Sequence, residues 1–174
     1  MREEKDMIPW KRLAEKMIAT GKYNPCGLDA ETLRDDCDRG LAVVKWDDAG
    51  ETIVAHGSLE ATKLQHTWQV RKLYAAKEHC GNGNGSTILT DIVRRLTLIV
   101  PGPVTYFAIT DNPKVVTILT GHGFHACVFA MQEQIDIWLE ATGFDRSRMP
   151  DNALLANAAR SGMEGRVFLM GYRP

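Results

Sequence analysis

The sequence predicts a mixed α/β fold whose sheet is antiparallel in its first half. Three observations carry this. Two amphipathic helical stretches come first, three β-branched runs with short polar breaks follow, and a glycine-rich stretch at 81–85 then leads into alternating helical and strand-like segments.

Residues 7–19 place Ile8, Leu13, Met17 and Ile18 among charged positions, and residues 29–39 place Leu33 and Cys37 among acids and arginines, so both predict amphipathic helices. The runs LAVVKWD (41–47) and TIVAHGSLEA (52–61), separated by DAGE, predict a hairpin, and TWQVRKLYAAK (67–77) predicts a third strand. A helix beginning near Ser86 follows from Ile88, Leu89, Ile92, Val93 and Leu96, with Asp91, Arg94 and Arg95 on its exposed side. VTYFAIT (104–110) reads as a strand, and Asn112 with Pro113 as the cap and first residue of a helix that Gly121 and Gly123 stop. FHACVFAM (124–131) and GRVFLMGY (165–172) predict two more strands; QIDIWLEATG predicts a helix or turn, and the stretch after it a mobile or inserted segment.

With 174 residues, 44% hydrophobic and 25% charged, the chain fits one domain spanning 1–174. Lysine and arginine number 21 against 22 acids, so no basic excess points to nucleic acid. The N-terminal stretch lacks the apolar core of a signal peptide, and LTLIVPGPV is too short and broken to span a bilayer. A soluble, cytoplasmic protein without membrane contact is expected. Cys26, Cys37, Cys80 and Cys127 show no C-x-x-C spacing, which suits reduced thiols. His122, His125 and Cys127 form H-x-x-H-x-C, but alternation sends His125 and Cys127 to one face and leaves His122 in a turn, so no metal is expected. Trp10, Trp46, Trp68 and Trp138 are scattered and read as packing anchors.

The glycine stretch is the most informative local feature. Gly81, Gly83 and Gly85, with Asn82 and Asn84 between them, allow successive backbone N–H groups to converge without Cβ obstruction. The helix behind them adds unpaired amides and a positive dipole end, which together suit a pyrophosphate. The bland alternative is a flexible strand-to-helix connection. No Gly-Lys-Ser/Thr follows, which excludes a P-loop, and the spacing and antiparallel context fit a dinucleotide fingerprint poorly. An acyl-CoA pyrophosphate is the remaining anion.

At this point the chain resembles the GNAT superfamily of acetyl-CoA-dependent N-acyltransferases. The resemblance is carried by LYA at 73–75, the run Cys80-Gly81-Asn82-Gly83-Asn84-Gly85-Ser86, the strand VTYFAIT, the segment DNPKVVTIL, Gly123-Phe124 and the closing VFLMGYR. It covers residues 41–131 and 165–172. It implies a mixed, mostly antiparallel central sheet with splayed middle strands flanked by helices. It also implies that backbone groups of Leu73 and Ala75 bind the pantetheine amides, that residues 80–86 cradle the pyrophosphate, and that Asn112 sits beside the pantetheine arm. Two departures stand out: Cys80 replaces the Gln/Arg that starts the family motif, and the family's glutamate base and tyrosine acid are matched by Gln69 and Leu119.

Other residues must then handle the proton. Alternation along 52–61 puts His56, Ser58 and Glu60 on one face, and Gln69 with Arg71 on one face of the partner strand. With Ser58 opposite Gln69, all five converge beside the splay. His56, with an ordinary pKa of about 6.5, is a candidate base; Glu60 is a second, or holds the substrate's ammonium. Tyr74 is a third candidate, as proton donor to the departing thiolate. The competing reading makes His56 and Glu60 solvated polar residues on the open side of a sheet.

The resemblance thus implies an N-acetyltransferase using acetyl-CoA (or another acyl-CoA) as co-substrate, with no metal, acting by direct attack of an amine on the thioester. Its rival is a catalytically degenerate GNAT-fold binding or structural protein. The acceptor is an amine of a small molecule or a protein, and the acidic run ETLRDDCDR either favours a cationic amine or is a solvated helix face. A homodimer is a reasonable assembly on the resemblance alone.

Overall fold

The computed structural model describes residues 6–23, 28–62, 66–79, 84–127 and 166–174. The expected segments at 128–131 and 134–143, the inserted stretch after them and Cys80–Gly83 lie outside these residues.

Helix α1 (Ile8–Ala19) buries Trp10, Leu13, Ala14 and Met17, a stripe at spacings of three and four. Ile8 and Ile18, expected on that face, are 42% and 38% exposed. At about 100° per residue Ile8 falls opposite the stripe and Ile18 at its edge. Helix α2 (Ala30–Asp38) starts where the Asp29 carboxylate accepts from the Thr32 N–H at 2.8 Å and the Thr32 hydroxyl at 2.9 Å.

Strand β1 (Ala42–Trp46) pairs antiparallel with β2 (Ile53–Ala61), from Ala42 opposite Ser58 to Lys45 opposite Ala55. Strand β3 (Thr67–Ala75) ends two residues earlier than its apolar pattern suggests, because Lys77–His79 turn as a 3-10 helix. Helix α3 runs Asn84–Ile99, so it begins inside the glycine stretch and not at Ser86. After it come β4 (Val104–Thr110), α4 (Pro113–Gly121), β5 (His125–Cys127) and β6 (Val167–Arg173). The sheet order is β1-β2-β3-β4-β6-β5, antiparallel except for β3 with β4. That parallel ladder holds Thr67, Trp68 and Gln69 opposite Thr105, Tyr106 and Phe107 and, among the described residues, stops there.

The chain divides into two compact units, Met1–Leu59 with Arg71–Ile99, and Glu60–Val70 with Val100–Pro174. In the first, the α1 stripe, Leu28 and Leu33 pack with Ile53, Tyr74 and Ala76. The opposite face of β2 meets α3 at Gly57, where an added Cβ would lie 2.4 Å from Ile92 and 3.1 Å from Leu96. In the second, Phe107 stacks on Phe168 at 5.2 Å and Phe124 covers both Tyr106 and the backbone of Gly171. Helix α4 opens as its sequence indicates: Asn112 Oδ1 accepts from the Lys114 N–H at 3.1 Å, and Gly123, with φ 80°, follows its end.

Candidate functional site

Strand β3 carries a local irregularity immediately before the residues expected to read the cofactor. The Ala76 N–H donates to the Val54 carbonyl, and the Thr62 N–H to the Thr67 carbonyl. Between these bonds β2 advances from 54 to 62 while β3 advances from 67 to 76, one residue more. The extra residue makes a bulge, and Lys72, with φ 53°, is the β3 residue in the left-handed region. The same Thr62–Thr67 bond sets Glu60, not Ser58, opposite Gln69. This two-residue shift leaves every side chain on its expected face; the connection between β2 and β3, not the strand pattern, determines it.

His56 is wholly buried, so it is not a solvated residue on an open sheet face. Gly57 faces Leu73, Ile92 and Leu96, and alternation turns His56 and Ser58 away from α3. His56 Nδ1 lies 3.1 Å from the Lys72 carbonyl oxygen. A carbonyl only accepts, so Nδ1 carries the proton and Nε2 is a bare acceptor. Nε2 is buried and, among the described residues, has no hydrogen-bond partner. Burial lowers the imidazole pKa to about 4; the bond to the Lys72 carbonyl opposes the drop, the Lys72 charge adds to it and Asp36 opposes it. The ordinary value near 6.5 expected from sequence therefore does not apply. At neutral pH His56 is an uncharged imidazole, with its proton on Nδ1 and none on Nε2.

The residues around the bulge are tied to the N-terminal helices. Lys72 Nζ donates to Asp36 Oδ2 on α2 at 2.8 Å, with both side chains largely shielded. The Tyr23 hydroxyl donates to the Leu73 carbonyl, and burial, then Tyr74, raises the Tyr23 pKa. That carbonyl is therefore engaged within the protein. Tyr74 is 8% exposed and packs in the apolar cluster beneath α1.

Gly85 and Ser86 lie in the first turn of α3, where backbone N–H groups lack intrahelical partners. Gly85 is buried and Ser86 exposed. Of the remaining candidates, Glu60 is exposed at the end of β2, and Asn112 uses its side-chain oxygen for the α4 cap. Glu60 and Asn112 belong to the second compact unit; His56, Leu73, Tyr74, Ala75, Gly85 and Ser86 belong to the first. Among the described residues no cluster of three or more metal-ligating side chains occurs, and no helix is long and apolar enough to cross a membrane.

Lys72, Asp36 and Tyr23 were not singled out by sequence reasoning. Nothing local marks a lysine for the left-handed region, although Gly57 inside a strand was a readable sign of close backbone approach.

The helix pair, the six-stranded sheet order and a bulged strand leading to a glycine-opened helix make up a GNAT-like fold. No family profile and no curated protein matches the chain. Among solved structures it is similar to N-acetylglutamate synthase from Neisseria gonorrhoeae in complex with coenzyme A and N-acetyl-glutamate, with TM-score 0.54 and 14% identity over 95% of this chain. The matched part is 32% of that protein, so the chain spans about a third of its length. It also matches a GNAT-family acetyltransferase from Staphylococcus aureus, with TM-score 0.49, 11% identity and coverage of 94% and 92% of the two chains. A phosphinothricin acetyltransferase from Sinorhizobium meliloti in complex with AcCoA matches with TM-score 0.47, 18% identity and coverage of 82% and 67%.

Proposed function

We propose that this chain is a single-domain, cytoplasmic, acetyl-CoA-dependent N-acetyltransferase that passes an acetyl group directly to an amine of a small molecule or a protein. The observation that carries the reading is the β3 bulge at Lys72, placed one residue before Leu73 and followed by a helix that opens from the glycine stretch. The Leu73 N–H and the Ala75 backbone would hold the pantetheine amides, residues 80–86 the pyrophosphate, and Asn112 the arm near the thiol.

The co-substrate supplies a thioester carbonyl: the N–C bond forms, the C–S bond breaks, the amine loses a proton and the thiolate gains one. His56 Nε2, a buried acceptor with no hydrogen-bond partner among the described residues, suits an amine N–H and orients the amine toward the thioester. Glu60 is assigned to the substrate ammonium and Tyr74 to the thiolate. Glu31, Asp35 and Asp38 line a surface pocket with Arg34, which bonds Asp38 and Met7, so the acidic run is partly neutralised from within.

Calorimetric titration with acetyl-CoA and with free CoA tests the reading, repeated on Gly83→Asp, which puts a charge and a Cβ into the glycine stretch. Micromolar binding lost in the variant, followed by amine-dependent thioester cleavage, is the expected result. Binding without cleavage against any amine would identify a binding module, and no binding by the unaltered chain would remove the acetyltransferase reading.

A further inference from the structure

Lys72 holds a backbone conformation that its Cβ disfavours, and it does so without a glycine's freedom. Such a residue persists where its surroundings fix it from several sides. Two bonds reach Lys72: His56 Nδ1 to its carbonyl at 3.1 Å, and its own Nζ to Asp36 at 2.8 Å. His56 is wholly buried, and the Lys72 and Asp36 side chains are 15% and 19% exposed, so solvent competes weakly for either bond. At the next residue the Tyr23 hydroxyl takes the Leu73 carbonyl. The segment from α1 to α2 thus holds two consecutive residues of β3.

We propose that His56 and Asp36 are positioning residues that together fix Lys72 in the β3 bulge, His56 through its main chain and Asp36 through its side chain, and that this hold sets the affinity of Leu73–Ala75 for CoA. Only the last clause rests on the acyl-CoA reading above. The imidazole then has two tasks. Nδ1 positions the strand, and Nε2 is left for the acceptor. An asparagine amide can place a donor where Nδ1 lies, whereas a glutamine amide reaches the place of Nε2.

The test is amide hydrogen exchange by NMR on the ligand-free protein and its His56→Asn, His56→Gln, His56→Leu and Asp36→Asn variants. Losing one buried hydrogen bond corresponds to about tenfold faster exchange. That acceleration is expected at residues 73–76 in the Gln and Leu variants, with several-fold acceleration in Asp36→Asn. The Asn variant is expected to stay near the unaltered protein. Leu13 and Met17 in α1 report global opening. Equal acceleration there, or none at 73–76, would overturn the proposal. If His56→Leu does not fold, the Gln and Asp36 variants decide.

Titration with CoA then tests the last clause: binding weakened about tenfold in the variants with loosened strands is expected. Unchanged affinity there would overturn that clause. Failure of the unaltered protein to bind CoA would sink the acyl-CoA reading while the exchange result still decides the hold on Lys72.

Discussion

The Cβ that Gly57 lacks would sit 2.4 Å from Ile92 Cγ2 and 2.9 Å from Leu73 Cδ2. Ile92 is buried against the sheet, and Leu73 is half-buried on the paired strand. Strand β2 and helix α3 are therefore as close as a missing side chain permits.

Gly57→Ala should destabilise the protein by about 1–3 kcal/mol through overpacking. Chemical denaturation measures it. Ile92→Ala alone leaves a cavity, but combined with Gly57→Ala it should cost less than the two separate losses added together. Strict additivity would show that the two side chains do not compete for the same space.

Burial of His56 makes stability depend on acidity. Its folded pKa, about 4, lies below the ordinary 6.5, so the unfolded chain binds more protons between those values. Its contribution is fully present above pH 6.5 and is lost as pH falls toward 4, by about 3 kcal/mol in all. Denaturation midpoints followed from pH 7 to pH 4 should fall, and His56→Asn should flatten that part of the profile. An unchanged slope in the variant would assign the acid sensitivity elsewhere.

Tyr23 should behave as a tyrosine that ionises only when the fold opens. Burial first, and the neighbouring Tyr74 second, raise its pKa, so this contribution to stability is present below the ordinary value of 10 and is lost as alkaline pH rises toward the folded one. Absorbance titration should find Tyr23 silent below pH 11 until the protein unfolds, and Tyr23→Phe should lower by one the number of tyrosines that unfolding releases; Tyr106, also raised by burial, stays in that number. The same variant leaves the Leu73 carbonyl without its donor, at a cost of about 1 kcal/mol.

Asn112→Ala should lower stability by about 1 kcal/mol by removing the oxygen that accepts the Lys114 N–H, whereas Asn112→Asp should retain most of it. Thermal unfolding of both variants separates the cap from any cofactor role. A loss of CoA affinity in Asn112→Asp without loss of stability would point to the pantetheine contact.

The order of helices and strands, the cap at Asn112 and the stop at Gly123 were legible because each depends on residues within a few positions of one another: periodicity, a capping oxygen and a positive φ. The glycine stretch before α3 and the strand–helix order that resembles the GNAT fold are local in the same sense. The burial of His56, the bulge at Lys72 and the ties from Asp36 and Tyr23 are not. The bonded pairs lie 16, 36 and 50 residues apart in sequence. Alternation told which residues share a face of β2, but the connection to β3 fixed the register, and packing of α1 and α2 determined that this face would be dry. A histidine with ordinary chemistry in the sequence thus becomes a neutral acceptor in the fold, because desolvation is a property of the neighbours that tertiary structure assembles around it.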